Sequence, residues 1–254
     1  MSAENDQLVL LLRSLRLSSM AQLVPESLEI AKQENWSHVQ WLRYLCEQES
    51  EQRLQRRMQN LLKASHLPDS KTLGNLKENL LPQKIRRLLP ELLDGTFVQE
   101  AKNILCFGLP GRGKTHFLCA LGRELILRHQ YRVFFTPAFK LVNQLLEAKR
   151  DLKLPALLSR FDNYQVVILD ELGYIQQSRE EMEALFTFLA ERYERRTIMI
   201  SSNLVFSQWD QIFKNPITAA AAVDKLVHHA HILEFTGKSQ RMPTKNNGSL
   251  VSHE

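Results

Sequence analysis

The feature that most constrains this chain of 254 residues is a glycine-rich loop placed between an apolar run and a helical pattern. The loop spans residues 108–115 and has the sequence Gly-Leu-Pro-Gly-Arg-Gly-Lys-Thr. Its glycines let the backbone wrap closely around phosphate oxygens and direct N–H groups at them. The helix that begins near Gly113 adds the positive end of its dipole. This G-x-x-x-x-G-K-[ST] pattern predicts a phosphate loop that binds a nucleotide.

The loop also provides a cation and a hydroxyl for the phosphates and their metal ion. We expect Lys114 to reach the β- and γ-phosphates, and the Thr115 hydroxyl to ligate a Mg²⁺ ion that bridges them. ATP and Mg²⁺ are therefore the predicted cofactors. The residues expected to contact the nucleotide are the loop and the histidine that follows it: Gly108, Leu109, Pro110, Gly111, Arg112, Gly113, Lys114, Thr115 and His116.

A second element is an apolar run, residues 166–169, that ends in two carboxylates, Asp170 and Glu171. Asp170 follows Lys114 by 56 residues (170 − 114), a normal distance for a Walker B element. We expect Asp170 to hold the Mg²⁺ shell and Glu171 to act as general base for the attacking water. The alternative is a strand that ends in an acidic surface turn.

From residue 101 onward, short apolar runs alternate with helical patterns, which predicts an α/β fold with helices on both faces of a parallel sheet. In such a sheet all strand carboxyl ends open onto one crevice. Asn203 follows the fourth run, so we expect its amide near the γ-phosphate, although a turn-forming asparagine is the alternative. The five predicted strands are residues 103–107, 132–136, 165–169, 197–202 and 231–235.

The pattern before residue 101 differs. Residues 1–65 have the apolar spacing of helices, and two or three such helices can barely bury a core alone. We therefore predict an N-terminal helical domain at 1–65 and a linker with a short helix at 66–100. A nucleotide-binding domain at 101–241 and a disordered tail at 242–254 complete the predicted organisation.

Charge is unevenly distributed along the chain, whose formal net charge is +5. Residues 101–160 carry 11 Lys/Arg against 3 Asp/Glu, a net of +8, and residues 161–210 carry 4 against 9, a net of −5. The basic segment indicates a polyanionic partner or a solvated helix face.

No apolar run approaches the ~18 residues of a membrane span, and the N-terminus does not have the pattern of a signal peptide. The expected location is the cytoplasm.

Four segments together resemble the IstB-like branch of the AAA+ ATPases: GLPGRGKTH, VVILDELGY, ISSNLVFSQWDQIF and AAVDKLVHHAHILEFTGKSQR. This branch contains helper ATPases encoded by two-gene insertion sequences and is closely related to the DnaC helicase loaders. The resemblance extends from about residue 5 to residue 241. The runs FSQWDQIF and DKLVHHAHILEFTGKS favour the transposition branch over the loaders.

The resemblance implies a five-stranded AAA+ core with an N-terminal helical domain and a reduced C-terminal lid. It also implies a bacterial protein that binds ATP, oligomerises on DNA with little sequence preference, deforms the DNA and recruits or activates a transposase. Asp170, Glu171 and Asn203 match the Walker B and sensor 1 positions of the family. A neighbouring subunit would complete the ATP site with a cation.

The chain departs from the family pattern at several positions. Leu109 and Arg112 stand where the family commonly has proline and a small residue. Lys225 occupies the position of an arginine and is the candidate cation for the neighbouring subunit's site. Lysine cannot contact a phosphate in bidentate fashion, so hydrolysis is expected to be slower, or another arginine serves. Arg241 follows a glutamine in place of an aromatic residue and is the candidate sensor 2.

In related initiator and loader ATPases, an insertion that matches residues 138–160 faces the DNA channel of the oligomer. By this resemblance the predicted DNA contacts are Lys140, Lys149, Arg150 and Lys153, which would touch phosphates without base readout. A solvated helix face is the alternative. His228, His229 and His231 are expected to be structural, because no acidic or cysteine partner is evident nearby in the sequence.

Three other functions compete with a transposition ATPase. A DnaC-like helicase loader belongs to the same superfamily. A P-loop kinase for small molecules has a similar loop, but the Asp-Glu pair and the Asn-tipped strand argue against it. A nucleotide-gated assembly factor with vestigial hydrolysis is the third, because of Lys225.

Overall fold

Two structural units divide the chain, one at Met1–Asn60 and one at Leu61–Glu254. The computed structural model describes residues 3–173, 178–204, 208 and 224–236. The expected helix at 217–229 falls largely outside the described residues, and Arg241 and the expected tail fall wholly outside them. Within the described residues, no helix is long and apolar enough to cross a membrane.

Helices form the first unit: α1 (Ala3–Ser14), α2 (Ser18–Gln33) and most of α3 (His38–Ser65). Its core is small and consists of Leu12, Met20, Ala21, Val24 and Leu45. The predicted helical character of this region is therefore present, and α3 continues into the second unit.

A buried carboxylate supports the start of α2. Helix α2 begins without a side-chain cap from Leu17, so its first N–H groups need another acceptor. Glu49 Oε2 on α3 accepts hydrogen bonds from the backbone N–H groups of Ser19 at 2.8 Å and Met20 at 3.1 Å. Burial opposes ionisation of Glu49, but these bonds and that from Arg53 hold its pKa below the ordinary value.

A parallel sheet with the strand order β2-β3-β4-β1-β5 forms the centre of the second unit. The predicted α/β class and five-stranded sheet are confirmed, with every strand within a few residues of its expected bounds. The strands are β1 (Asn103–Phe107), β2 (Val133–Pro137), β3 (Val166–Leu172), β4 (Thr197–Ser202) and β5 (Ala230–Glu234).

Helices cover both faces of this sheet, because alternate strand residues point to opposite sides. On β1, Leu105 and Phe107 belong to one apolar cluster, and Ile104 and Cys106 belong to the other. Helices of the second unit include α4 (Gln83–Leu93), α5 (Thr96–Gln99), α6 (Lys114–His129), α7 (Ala138–Arg150), α8 (Leu154–Asp162) and α9 (Arg179–Arg192).

The segment expected to be a linker, residues 66–100, instead contributes to the core of the second unit. It contains α4, a short 3₁₀ turn at Glu78–Leu80 and α5. Its apolar side chains are buried in the same cluster as α6 and one face of the sheet: Leu67, Leu76, Leu81, Ile85, Leu89, Leu92, Phe97 and Val98. The linker interpretation was wrong: Ile85, Leu89 and Leu92 form one buried face of α4, and the other apolar residues of the segment join the same cluster.

Candidate nucleotide-binding site

The phosphate loop leaves the carboxyl end of β1 and enters α6. Its three glycines have positive φ angles, 143° at Gly108, 78° at Gly111 and 92° at Gly113, a region that other residues rarely adopt. Gly113 is the N-cap of the sixteen-residue helix α6. A Cβ atom on Gly108 would lie 2.4 Å from the carbonyl oxygen of Phe235, so the loop passes directly against the end of β5.

Lys114 is a largely buried cation at the base of this loop, with 8% of its surface exposed. Its ammonium donates to the carbonyl oxygens of Gly108 and Leu109, the latter at 3.0 Å. Burial lowers the pKa of Lys114 from its ordinary value, while the negative charges of Asp170 and Glu171 oppose that shift. The loop therefore holds a desolvated positive charge next to two carboxylates.

The acidic strand meets the loop through a set of short hydrogen bonds. The Thr115 hydroxyl donates to Asp170 Oδ1 at 2.7 Å, and the Ser201 hydroxyl donates to the same oxygen at 2.5 Å. Thus the two residues predicted to share a metal ion, Thr115 and Asp170, are in direct contact although they lie on α6 and β3.

Glu171 adopts an uncommon backbone conformation, with a φ of 59°. The register between β3 and β4 shifts between Leu169 and Leu172, which is the signature of a bulge. The Glu171 side chain is exposed, and it lines the cleft above the phosphate loop. Residues with strained backbone conformations cluster at functional sites. Here the bulge directs the Glu171 side chain into the cleft, whereas a regular strand would direct it elsewhere.

A cleft of about 550 Å³ opens above these residues, within the range for small-molecule sites. Asn203 lies in it, and its buried Oδ1 has no hydrogen-bond partner within the described part of the chain. The lining residues are Lys71, Asn75, Lys77, Pro110, Gly111, Arg112, Gly113, Lys114, Thr115, His116, Glu171, Ser201, Ser202 and Asn203.

Sequence reasoning missed one wall of the cleft, the segment 68–77. Lys71, Asn75 and Lys77 line the cleft, and two contacts hold the segment against α6. The His116 ring lies 3.0 Å from the carbonyl oxygen of Thr72, and Arg123 pairs with Asp69 at 3.3 Å. No motif marks these residues, and their assignment to a linker hid them.

Leu109 and Arg112, the two loop residues that depart from the family pattern, have different surroundings. Leu109 has 58% of its surface exposed. The Arg112 guanidinium lines the cleft and also donates to the carbonyl oxygen of Phe235 at 3.1 Å. Arg112 therefore ties the phosphate loop to the end of β5, a contact that a small residue at this position could not make.

Lys225 lies against aromatic rings. Its ammonium is 5.3 Å from the centre of the Phe186 ring and 5.8 Å from that of Tyr193. It is not among the residues that line the cleft of its own chain. Its assignment to a neighbouring subunit's site stays a prediction, as does that of Arg241.

The predicted DNA contacts are on or next to α7 and are all exposed. Lys149 lies 3.8 Å from Glu183, and Lys153 lies 3.3 Å from Asp151. Exposed ion pairs of this kind are weak, so the lysines are available to stronger anions. Contact with DNA stays a prediction.

The histidines have an acidic neighbour that the sequence did not indicate. Ligand atoms of Glu194, His228 and His229 all lie within 4.8 Å of one another, and the three residues are exposed. The premise that no acidic partner is within range was therefore wrong. His231 packs edge-on against Phe97, with 6.4 Å between ring centres, and its structural role stays a prediction.

The residues at the cleft fit a Mg²⁺–nucleotide complex. Mg²⁺ prefers hard oxygen ligands, and the Thr115 hydroxyl, which lines the cleft, is hydrogen-bonded to the Asp170 carboxylate. Phosphate groups favour a helix N-terminus and a lysine, both of which the loop supplies. The partnerless Asn203 Oδ1 adds a buried polar atom for which a ligand or water would be the partner.

This sheet order and this cleft define a P-loop nucleotide-binding protein of the AAA+ class. The chain belongs to the family described as IstB-like ATP binding protein, whose model matches residues 10–248. The resemblance seen in the sequence is thereby confirmed.

Relatives from insertion sequences cover most of the chain. An insertion-sequence ATP-binding protein of Sinorhizobium fredii is 36% identical over 92% of this chain and 79% of its own length. That of insertion sequence IS21 of Pseudomonas aeruginosa is 33% identical over 97% and 92%. That of IS5376 of Geobacillus stearothermophilus is 36% identical over 91% and 92%.

Solved structures share the fold at low sequence identity. The DnaC helicase loader has a TM-score of 0.51 and 20% identity, covering 61% of this chain and 92% of that one. DnaA from Aquifex aeolicus, bound to AMPPCP, has a TM-score of 0.53 and 19% identity, covering 67% of this chain and 51% of that one.

Proposed function

We propose that this protein hydrolyses ATP, assembles on DNA in its ATP-bound form, and recruits or stimulates a transposase. One observation carries the proposal: the phosphate loop and Glu171 line a single cleft, and Thr115 in that cleft donates a hydrogen bond to Asp170. A metal-assisted phosphoryl transfer needs these groups together.

In this mechanism the protein's own groups bind, orient and accept a proton. Lys114 and the N–H groups of the loop hold the phosphates, and Thr115 with Asp170 would hold Mg²⁺. When bound, Mg²⁺ neutralises developing phosphate charge. Glu171 takes a proton from water as the water oxygen bonds to the γ-phosphorus and the bond to the β–γ bridging oxygen breaks. ADP and phosphate are the products.

The basic surface of α7 supports DNA as the polyanionic partner. Lys140, Lys149 and Arg150 are exposed on this helix, and Lys153 follows it. Contacts of this kind give salt-dependent binding with little sequence preference. A ring or filament of subunits would add such contacts together, with Lys225 completing a neighbour's ATP site.

A transposase is the favoured protein partner because relatives over almost the whole chain are named for insertion sequences. A replicative helicase is the second candidate, since the DnaC helicase loader shares the fold. Affinity capture with the purified chain in ATP, offering an insertion-sequence transposase and a bacterial replicative helicase, distinguishes them. Retention of helicase alone would contradict the transposition assignment.

Fluorescence anisotropy with a labelled duplex tests the assembly step. We expect tight DNA binding in ATP, weak binding in ADP or without nucleotide, and persistent binding in ATP for Glu171→Gln. Size-exclusion chromatography should show larger species under the same conditions. Equal DNA binding in all three nucleotide states would refute ATP-controlled assembly, and ATP hydrolysis can be scored separately from released phosphate.

A further inference from the structure

Ser201 is a buried serine on β4 whose hydroxyl lies between the two acidic residues of the site. It has 1% of its surface exposed. Its Oγ donates to Asp170 Oδ1 at 2.5 Å and accepts from the backbone N–H of Glu171 at 2.9 Å. A hydroxyl has one proton to donate and two lone pairs to accept with, so one small group serves the metal-binding carboxylate and the backbone of the predicted base.

The strand register explains why this position has access to both residues. Leu169 pairs with Ile200, and Leu172 pairs with Ser202. Two residues of β3, Asp170 and Glu171, therefore lie opposite one residue of β4, which is Ser201. In such a bulge the extra residue loses its ladder partner, and the Ser201 hydroxyl accepts the N–H bond that the ladder would otherwise take.

The bulge also sets the direction of the Glu171 side chain. A φ of 59° is unfavourable for glutamate and persists only where the surroundings hold it. The bond from Glu171 N–H to Ser201 is such a restraint. Without it, the backbone is free to relax toward a regular strand, which would turn the carboxylate away from the cleft.

We infer that Ser201 is a positioning residue: it joins Asp170 to the backbone of Glu171 and thereby aims the base at the attacking water. The inference rests on the proposed ATPase function. It predicts an effect on the hydrolysis rate more than on nucleotide affinity, because the phosphate loop lies on other elements.

Thr197 offers a matched control on the same strand. It is also buried, but its hydroxyl has no hydrogen-bond partner within the described residues. Thr197→Val keeps the shape while removing a hydroxyl, so it tests whether β4 tolerates such a loss. Ser201→Cys keeps the packing while weakening both hydrogen bonds, and it serves if Ser201→Ala does not fold.

The experiment compares kcat for ATP and the dissociation constant for a fluorescent ATP analogue. Ser201→Ala should lower kcat by about 10- to 100-fold, the range expected for bonds to charged groups, with affinity changed less than about 3-fold. Ser201→Cys should lower kcat by a smaller factor, and Thr197→Val should match the unmodified protein.

A double-mutant cycle with Glu171→Gln, measured by single-turnover hydrolysis of radiolabelled ATP, tests the route of the effect. If Ser201 acts through Glu171, Ser201→Ala should have little further effect in the Glu171→Gln background. An equal loss in both backgrounds, unchanged kcat in both Ser201 variants, or a loss confined to affinity would overturn the assignment. If the unmodified protein binds ATP without hydrolysing it, the proposed ATPase function fails first and takes this assignment with it.

Discussion

The two units of this protein are stabilised differently, and only one of them contains the predicted chemistry. Unit 61–254 has apolar clusters on both faces of a sheet and places its phosphate loop at the carboxyl end of β1, an interior strand. Unit 1–60 has a small core and several large apolar side chains that are more than half exposed: Leu10, Leu11, Leu15, Val39 and Leu42.

This difference teaches that function and stability can be perturbed separately. The described residues that line the nucleotide cleft all belong to the second unit. In the first unit the apolar core is small, so we expect the buried carboxylate of Glu49 to contribute a large share of the unit's stability. Substitutions in the cleft should therefore alter nucleotide binding or hydrolysis, and a substitution at Glu49 should alter the stability of the first unit.

The largest expected effect is on turnover in Glu171→Gln. General bases contribute about 100- to 10,000-fold to rate, so kcat should fall within that range, while ATP affinity stays close to that of the unmodified protein. Phosphate release measures kcat, and fluorescent nucleotide binding measures affinity. Glu180→Gln, an exposed carboxylate change on α9, is the control. Turnover at the normal rate in Glu171→Gln would mean that another group is the base.

Lys114→Ala should weaken ATP binding in the second unit without unfolding it. Hydrogen bonds to charged groups contribute about 1.5–3 kcal/mol, which corresponds to about 10- to 150-fold in the dissociation constant. Isothermal titration calorimetry measures the loss, and Arg128→Ala at the far end of α6 controls for loss of a cation. Unchanged ATP affinity would remove Lys114 from the phosphate site.

Replacing Lys149, Arg150 and Lys153 by alanine should weaken binding to all DNA sequences alike. Each neutralised phosphate contributes about 0.9 to the slope of log K against log salt, so removal of three cations should flatten that slope by up to about 2.7. Anisotropy over a salt series measures the slope. The control removes equal charge from α4 through Lys84→Ala, Arg86→Ala and Arg87→Ala, all exposed. A slope shared by both triple variants and the unmodified protein would exclude α7 as the DNA contact.

Acid should act on the first unit through Glu49. Its folded-state pKa is lowered, so its contribution is present above the unfolded-state pKa and is lost as pH falls through the folded-state value. Glu49→Gln should remove about 1–3 kcal/mol at neutral pH and make stability less sensitive to acid. Hydrogen exchange in α2 between pH 3 and 7 measures this. Reduced ATP affinity in the variant would contradict the separation of the units.

The second unit was more predictable from sequence than its site was. Strands and loop follow from apolar runs and from glycine, lysine and threonine at fixed spacing, which depend on local chemistry. The cleft wall at Lys71 and Lys77, the bulge at Glu171 and the bridging role of Ser201 depend on tertiary pairing between distant segments. Glu49 was missed for the same reason, because its partners at the start of α2 lie about thirty residues away.

The contact between Gly108 and Phe235 changes what the loop's first glycine records. Any side chain at residue 108 would collide with the backbone oxygen of residue 235, which directly follows β5, whatever residue stands there. A protein with this sheet that no longer bound a nucleotide would still need glycine at this position. Gly108, the first residue of the phosphate-loop motif, is therefore required by the neighbouring backbone at Phe235 as well as by phosphate binding.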